Sequence, residues 1–434
     1  MIRCFFYNIT LGEGIMDMDY LSELNAKGKR AKQAGRKLAT LSTAIKNQAL
    51  VSMADALEQE HLNIVAANAI DVENGRAKGL PESMLDRLAL TESRIQVMAE
   101  GLRQISALPD PIGEVLSVDQ RPNGMKISKV RVPLGVIGII YESRPNVTVD
   151  ATGLCLKAGN AVLLRGGSEA IHSNIAIMKV ITQAAYKAGI PVGALELIET
   201  TERQAVHAML KLKSYLDVII PRGGAGLIKT VVENSTVPVI ETGTGICHTF
   251  VDESADLAMA QAIAFNAKVS RPGTCNSMET LLVHQRVAEQ FLPEMLQKYV
   301  EAGVELRGCP LTIKYHQAVK PVSEEDWATE YLDFILSVKV VANLDEALDH
   351  IHQYSTLHSE AIVTQNDDNA VRFQQEVDAA AVYVNASTRF TDGFEFGFGA
   401  EIGISTQKIH ARGPMGLEEL TSIKYLIAGN GQIR

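Results

Sequence analysis

The chain has 434 residues, of which 46% are hydrophobic and 21% are charged. These proportions exclude global disorder and are typical of a folded globular protein, and the length is sufficient for two or three domains. The formal net charge is −10 and the sequence has no long run of Lys and Arg, which argues against nucleic acid as a partner.

The cysteines and the N-terminal residues indicate the cellular compartment of the protein. The five cysteines are odd in number and include no CxxC pair, which predicts free thiols in a reducing, cytoplasmic compartment and no metal site. The apolar run at residues 4–7 is too short for a signal peptide or a membrane span. Residues 1–15 are interpreted as an upstream start or a frayed tail, outside the fold.

Residues 20–103 predict a helical segment, because Ala, Leu, Lys and Glu dominate and apolar residues recur at intervals of three and four. Two extended stretches follow at 114–120 and 125–132, separated by a turn that contains Asn123-Gly124. Such a hairpin, polar on both faces, predicts an arm (residues 114–132) that mediates association between subunits.

From residue 133 the chain changes to alternating strands and helices, which predicts a parallel sheet covered on both faces. The dinucleotide-binding domain is therefore predicted to span residues 16–245 and to include the arm. The predicted strands are residues 135–141, 161–165, 195–198, 218–220 and 237–240.

Two glycine-rich loops of this domain each follow a strand and open a helix. They are Arg165-Gly166-Gly167-Ser168 and Arg222-Gly223-Gly224. Backbone N–H groups at the start of a helix attract anions, and ligands of such sheets bind at the carboxyl ends of the strands. Either loop alone fits an ordinary tight turn, but their matching positions favour a dinucleotide site.

A second α/β domain is predicted for residues 246–405, followed by a C-terminal oligomerisation segment at 406–434 that pairs with the arm in an oligomer. Within this domain Cys275 lies on a Pro/Gly turn between a predicted helix and a predicted strand. Free cysteines are most often buried, but the neighbouring Arg271 favours a thiolate and the turn predicts exposure, so Cys275 is the candidate nucleophile. A cleft between the domains is the expected site of chemistry.

Eight motifs carry a resemblance to a known family. The segment Ile-Glu-Thr-Gly-Thr-Gly at 240–245, followed by Cys275, resembles the aldehyde dehydrogenase superfamily. Seven more, in order along the chain, resemble the γ-glutamyl phosphate reductase family within it. They lie at 133–138, 141–148, 156–160, 165–168, 271–276, 358–362 and 413–417.

The resemblance implies an aldehyde dehydrogenase-like α/β fold with two doubly wound domains and a small β oligomerisation arm. It also implies NADPH-dependent reduction of L-glutamyl 5-phosphate to L-glutamate 5-semialdehyde, the second step of proline biosynthesis. In this interpretation Cys275 displaces phosphate and forms a thioester, which hydride from NADPH then reduces. The main-chain N–H of Cys275 and the side-chain amide of Asn146 would stabilise the oxyanion.

The resemblance also bears on the roles of Glu241 and of the loop that begins at Arg165. Glu241 matches the carboxylate that activates water in aldehyde-oxidising relatives, but in a reductase it either acts in catalysis or only lines the cofactor site. NAD-selective relatives have an acidic residue three positions after the residue matching Arg165. Ser168 stands there in this chain, which favours NADPH, although the adjacent Glu169 weakens the argument.

Arg144, Arg271 and Lys268 are the predicted partners of the anionic substrate, and His358 is added because its segment is typical of the family. Glutamate kinase is a possible partner, and the chain is expected to form a homo-oligomer. Two alternatives remain open: a hydrolytic, NAD-linked aldehyde dehydrogenase, and an inactive nucleotide-binding scaffold.

Overall fold

The computed structural model describes residues 13–434, and residues 1–12, including Cys4, lie outside the described part. The chain divides into two units. The first consists of the described residues up to Ile240 together with Gly416–Arg434, and the second is Glu241–Met415. Within residues 13–434 no helix combines the length and apolar character needed to cross a membrane. The functional roles of the predicted domains stay predictions.

The first unit begins with five helices, which confirms the predicted helical segment. Two of them are capped at the N-terminus by a hydroxyl: Ser42 accepts a hydrogen bond from the N–H of Ile45, and Thr91 from that of Arg94. The first helix begins at Glu13, earlier than predicted. The helices are α1 (Glu13–Leu38), α2 (Thr43–Gln59), α3 (His61–Ala77), α4 (Glu82–Leu88) and α5 (Glu92–Ala107).

The arm is part of a three-stranded antiparallel sheet. Strands β1 (Val115–Gln120) and β2 (Lys126–Pro133) form the predicted hairpin, with Gly124 in the left-handed conformation at its turn. The C-terminal strand, Thr421–Ala428 (β16), pairs with the other edge of β2 in the same chain. The predicted pairing of tail and hairpin is therefore intramolecular.

The core of the first unit is a four-stranded parallel sheet with the order β5-β4-β3-β6. The predicted strand at 237–240 is reduced to a single bridge between Ile219 and Val239, because Pro238 has no N–H to donate to a ladder. The strands are β3 (Val136–Tyr141), β4 (Ala161–Gly166), β5 (Leu195–Leu197) and β6 (Val218–Arg222). The helices are α6 (Asn146–Lys157), α7 (Ile171–Lys187), α8 (Arg203–Met209) and α9 (Ala225–Asn234).

The second unit contains a seven-stranded parallel sheet with the order β10-β9-β11-β8-β7-β12-β13. Three neighbouring strands, β8, β7 and β12, are fully buried, as expected for a sheet covered on both faces. The strands are β7 (Cys247–Val251), β8 (Met278–His284), β9 (Glu305–Gly308), β10 (Lys320–Pro321), β11 (Ile335–Val341), β12 (Ser359–Val363) and β13 (Ala381–Val384), and β14 (Ile404–Ser405) pairs with β15 (Gly413–Pro414) outside the sheet. The helices are α10 (Leu257–Val269), α11 (Gln285–Glu301), α12 (Glu324–Trp327), α13 (Leu344–Tyr354) and α14 (Asp367–Glu376).

Candidate active site

Cys275 lies on the connection between α10 and β8, and its side chain is partly exposed. The turn is closed by a hydrogen bond of 3.0 Å from the N–H of Ser277 to the carbonyl of Thr274. The next residue, Asn276, is buried, and its amide donates to the carbonyls of Arg389 and Thr391. The neighbours of Cys275 are therefore fixed while Cys275 itself is partly exposed, as nucleophilic attack requires.

A second cysteine supports this turn from the interior of the unit. Cys247, the first residue of β7, is fully buried, and its Sγ donates to the carbonyl oxygen of Cys275 at 3.2 Å. Burial raises the pKa of the Cys247 thiol well above its ordinary value, so this thiol stays protonated and serves as a donor. Of the two neighbouring cysteines, the structure leaves Cys275 as the one suited to attack a substrate.

Gly245 makes the closest backbone approach to the nucleophile. A Cβ atom at this position would lie 1.5 Å from the carbonyl oxygen of Cys275. The N–H of Gly245 donates to Glu330 Oε1 at 2.6 Å, which holds the loop in place. The last glycine of the Ile-Glu-Thr-Gly-Thr-Gly motif is therefore required by the position of the cysteine backbone.

Two predicted substrate residues, Lys268 and His358, are fully buried. Lys268 Nζ forms an ion pair of 2.6 Å with Glu279, and breaking it would leave an unpaired buried charge. His358 Nδ1 lies 2.8 Å from Ser359 Oγ and 3.8 Å from Cys247 Sγ. Neither side chain is open to a substrate in this structure. Their predicted contact with the substrate stays a prediction.

Glu241 and Glu330 are two carboxyl groups near the same loop. The N–H of Glu241 donates to Gln407 Oε1 at 3.0 Å, and a catalytic role of its side chain stays a prediction. Glu330 was not predicted from the sequence, because no motif surrounds it and it reaches the site only through the fold. Burial raises the pKa of Glu330, so this carboxyl group is able to carry a proton at higher pH than usual.

Arg389 was also missed, although it lies directly beside the cysteine turn. Its Nη1 donates to Thr274 Oγ1 at 2.8 Å, and its main-chain carbonyl accepts from Asn276. The predicted residue Arg271 is exposed on the same turn. The structure thus adds a second arginine to the surroundings of Cys275.

In the first unit, the predicted cofactor loops lie at the carboxyl ends of β4 and β6, as predicted for a ligand site in a parallel sheet. Arg165 is 8% exposed, its Nη2 donates to the carbonyl of Thr201 at 3.1 Å, and its Nε has no hydrogen-bond partner within the described residues. Burial lowers the pKa of this guanidinium. A buried cation with an unused donor fits the phosphate groups of a dinucleotide.

Two carboxylates accept hydrogen bonds in the neighbourhood of these loops. The N–H of Gly224, at the start of α9, donates to Glu142 Oε2 at 2.9 Å, so Glu142 takes the position predicted for a phosphate at this loop. Glu169 Oε1 accepts from the N–H and the hydroxyl of Ser143, at 2.6 and 2.8 Å. Ser143 adopts a left-handed φ of 46°, which is strained for a residue with a side chain.

Asn146, the predicted oxyanion donor, is the first residue of α6, and its amide donates to Asp150 at 2.9 Å. Arg144 precedes this helix and is partly buried. Both residues belong to the first unit, whereas Cys275 belongs to the second. Their proposed contact with the substrate stays a prediction.

Comparison with known proteins gives a consistent result. The model of the aldehyde dehydrogenase family matches residues 19–307. A γ-glutamyl phosphate reductase of Moorella thermoacetica is 63% identical over 96% of this chain and 100% of its own length. The crystal structure of γ-glutamyl phosphate reductase from Thermotoga maritima is 53% identical, with a TM-score of 0.93 over 95% of this chain and 100% of that one. An acetylating aldehyde dehydrogenase from Geobacillus thermoglucosidasius, 20% identical, has the same fold, with a TM-score of 0.71 over 96% and 99% of the two chains.

Proposed function

This chain belongs to the aldehyde dehydrogenase family and, within it, to the γ-glutamyl phosphate reductases, and we propose from that premise that its chemistry proceeds through a thioester on Cys275. The enzyme reduces L-glutamyl 5-phosphate to L-glutamate 5-semialdehyde, the second step of proline biosynthesis from glutamate. The partly exposed thiol of Cys275, beside a buried and protonated Cys247, is the observation that carries the proposal.

The protein's own residues perform the acyl transfer. Cys275 Sγ attacks the acyl carbon, the bond between that carbon and the phosphate oxygen breaks, and phosphate leaves. Donors near the acyl oxygen, for which we propose the N–H of Cys275 and the amide of Asn146, stabilise the oxyanion at each tetrahedral stage. A bound nicotinamide dinucleotide supplies the hydride that reduces the thioester. The resulting thiohemiacetal releases the aldehyde and restores the thiol of Cys275.

A coupled assay tests the function directly. Glutamate kinase, ATP and glutamate generate the labile acyl phosphate, and oxidation of NADPH is followed. Phosphate-dependent oxidation of glutamate semialdehyde measures the reverse reaction and separates this enzyme from a hydrolytic aldehyde dehydrogenase, which needs no phosphate. Absence of both activities would overturn the proposal. Physical association with glutamate kinase and location in the cytoplasm are further proposals, the latter because no disulfide bond joins the cysteines of residues 13–434.

We propose NADPH as the cofactor because of the charges around Arg165. Ser168 carries no charge that would repel a 2′-phosphate, and Arg165 is a cation with an unused donor. The carboxylate of Glu169 accepts two hydrogen bonds from Ser143, but its negative charge still acts on Arg165 and is the argument against a 2′-phosphate here. Arg222 and the glycines at 166–167 and 223–224 complete the proposed dinucleotide site, and Glu241 either lines it or takes part in the chemistry.

The cofactor assignment predicts that kcat/KM is higher with NADPH than with NADH, and that Ser168→Asp reverses the order. An aspartate would repel the 2′-phosphate and accept from a ribose hydroxyl, so we expect kcat/KM with NADPH to fall by about 10- to 100-fold. Ser168→Asn, of similar size and without charge, is the matched control. Equal kcat/KM for both cofactors in the wild type would contradict the assignment.

The arm predicts a homo-oligomer. The sheet that the arm forms with β16 exposes Val118, Tyr425 and Ile427 at 54%, 57% and 64% of their surfaces. Such exposure of apolar side chains is unfavourable unless another copy of the chain covers them. The double variant Tyr425→Asp/Ile427→Asp should keep its fold, because both side chains are exposed, but sediment as a smaller species than the wild type. Val192→Asp, at a site that is 73% exposed, is the control. A monomeric wild type, or an unchanged mass of the double variant, would exclude the arm as an interface.

A further inference from the structure

We propose that Arg389 binds the phosphate group of the substrate and stabilises it as it leaves, an inference that rests on the proposed function. Arg389 lies in the short helical turn Thr388–Phe390, which is attached to the cysteine turn at three points. Its Nη1 donates to Thr274 Oγ1, its carbonyl accepts from Asn276, and the hydroxyl of Thr388 donates to the carbonyl of Asn276 at 2.7 Å. These contacts fix the guanidinium beside the residue that precedes Cys275.

The charge of Arg389 is only partly offset by the protein, through the attraction of the nearby Asp392 carboxylate. It forms no ion pair with a carboxylate in the part of the chain that the structure describes, and its buried Nε has no hydrogen-bond partner there. Burial and the nearby positive charge of Arg271 both lower the pKa of the guanidinium. An anion at this position would give the unused Nε–H an acceptor and relieve the repulsion between the two arginines.

The position favours the phosphate over the α-carboxylate of the substrate. The phosphate is bonded to the carbon that Cys275 attacks, whereas three further carbon atoms separate that carbon from the α-carboxylate. Thr274, which holds Arg389, is the chain neighbour of Cys275, so the guanidinium is held close to the reacting thiol. A planar guanidinium is also suited to two oxygens of one phosphate group.

In the acylation step, the S–C bond forms first, and the C–O bond to the phosphate breaks as the tetrahedral intermediate collapses. The electron pair of the C–O bond leaves on the phosphate oxygen, and the proton of the thiol ends on the phosphate, which departs as HPO₄²⁻. Arg389 stabilises the negative charge that grows on this oxygen in the transition state. No oxidant or reductant takes part in this step.

The reverse reaction tests the proposal, because phosphate and semialdehyde are then separate substrates. We expect Arg389→Ala to raise the KM for inorganic phosphate by about 10- to 100-fold and to leave the KM for semialdehyde within about threefold. Arg389→Lys keeps the charge but loses the planar guanidinium, so its KM for phosphate should lie between those of the wild type and Arg389→Ala. Arg372→Ala, which removes a surface arginine from the same unit, is the charge control and should match the wild type.

The outcomes separate the possibilities. A higher KM for semialdehyde with an unchanged KM for phosphate would place Arg389 at the α-carboxylate and overturn the proposal. Unchanged KM values with a lower kcat would leave only a structural role. Should the variants fail to fold, protection of Cys275 against iodoacetamide by inorganic phosphate is measured in the wild type, and lack of protection counts against the proposal. A wild type without any phosphate-dependent oxidation would instead overturn the proposed function.

Discussion

Replacement of Cys275 by alanine is expected to abolish steady-state reduction of γ-glutamyl phosphate, with a loss in kcat of roughly a thousandfold or more. The thiol provides the covalent route, and the buried Cys247 is unable to replace it, because burial raises the pKa of its thiol well above the usual value. The coupled assay with glutamate kinase measures this loss.

A partial reaction shows whether the thioester itself is lost. With semialdehyde and NADP⁺ but no phosphate, the wild type should produce a burst of about one NADPH per active site, because the thioester then has no acceptor. Cys275→Ala should give no burst. Cys309→Ala is the matched control, since Cys309 is likewise partly exposed and forms no disulfide with a described residue, and its burst should equal that of the wild type. A full burst from Cys275→Ala would show that another residue is the nucleophile.

The sequence predicted most of the regular structure, because helices and buried strands leave periodic or continuous apolar patterns. The alternation after residue 133 correctly predicted the parallel sheets. The elements that it missed are short: β9 has four residues and β10 has two, which is too few for a pattern. The strand predicted at 237–240 failed for a local reason, since Pro238 has no N–H with which to continue a ladder.

The candidate site was predictable where its features are local. A thiol on a Pro/Gly turn beside Arg271 is visible in six residues of sequence. Arg389 and Glu330, in contrast, reach the cysteine loops from 115 and 85 positions away along the chain, and only the fold brings them there. Nothing in their own neighbourhoods distinguishes them from surface charges.

Burial is the second property that the sequence does not reveal. Lys268 was predicted to bind substrate because a cation near the nucleophile suits an anion, and the structure adds that it is buried and paired with Glu279. Desolvation raises the pKa of Glu279 to about 7 and lowers that of Lys268. A Lys–Glu pair on the surface would be open to ligands, so the burial of Lys268 and Glu279 is the property that the sequence does not show.

Gly245→Ala is expected to lower kcat by about a hundredfold without unfolding the protein. The new methyl group would lie 1.5 Å from the carbonyl oxygen of Cys275, so one of the two backbones must move by more than 1 Å to reach an ordinary contact. Displacement of a reacting group by about 1 Å is sufficient for a loss of about 10²-fold. The KM for semialdehyde should change little, because the substituted atom faces the backbone.

Gly101→Ala is the matched control for this substitution. Gly101 lies within α5, and a Cβ there would meet only Asp150 Oδ1, at 4.0 Å. Alanine in a helix is favoured over glycine by up to about 1 kcal/mol, so this variant should keep its activity and unfold at the same or a higher temperature. A Gly245→Ala enzyme with the kcat of the wild type would show that the loop has room to move. Contact between the backbones of Gly245 and Cys275 would then not determine the position of Cys275.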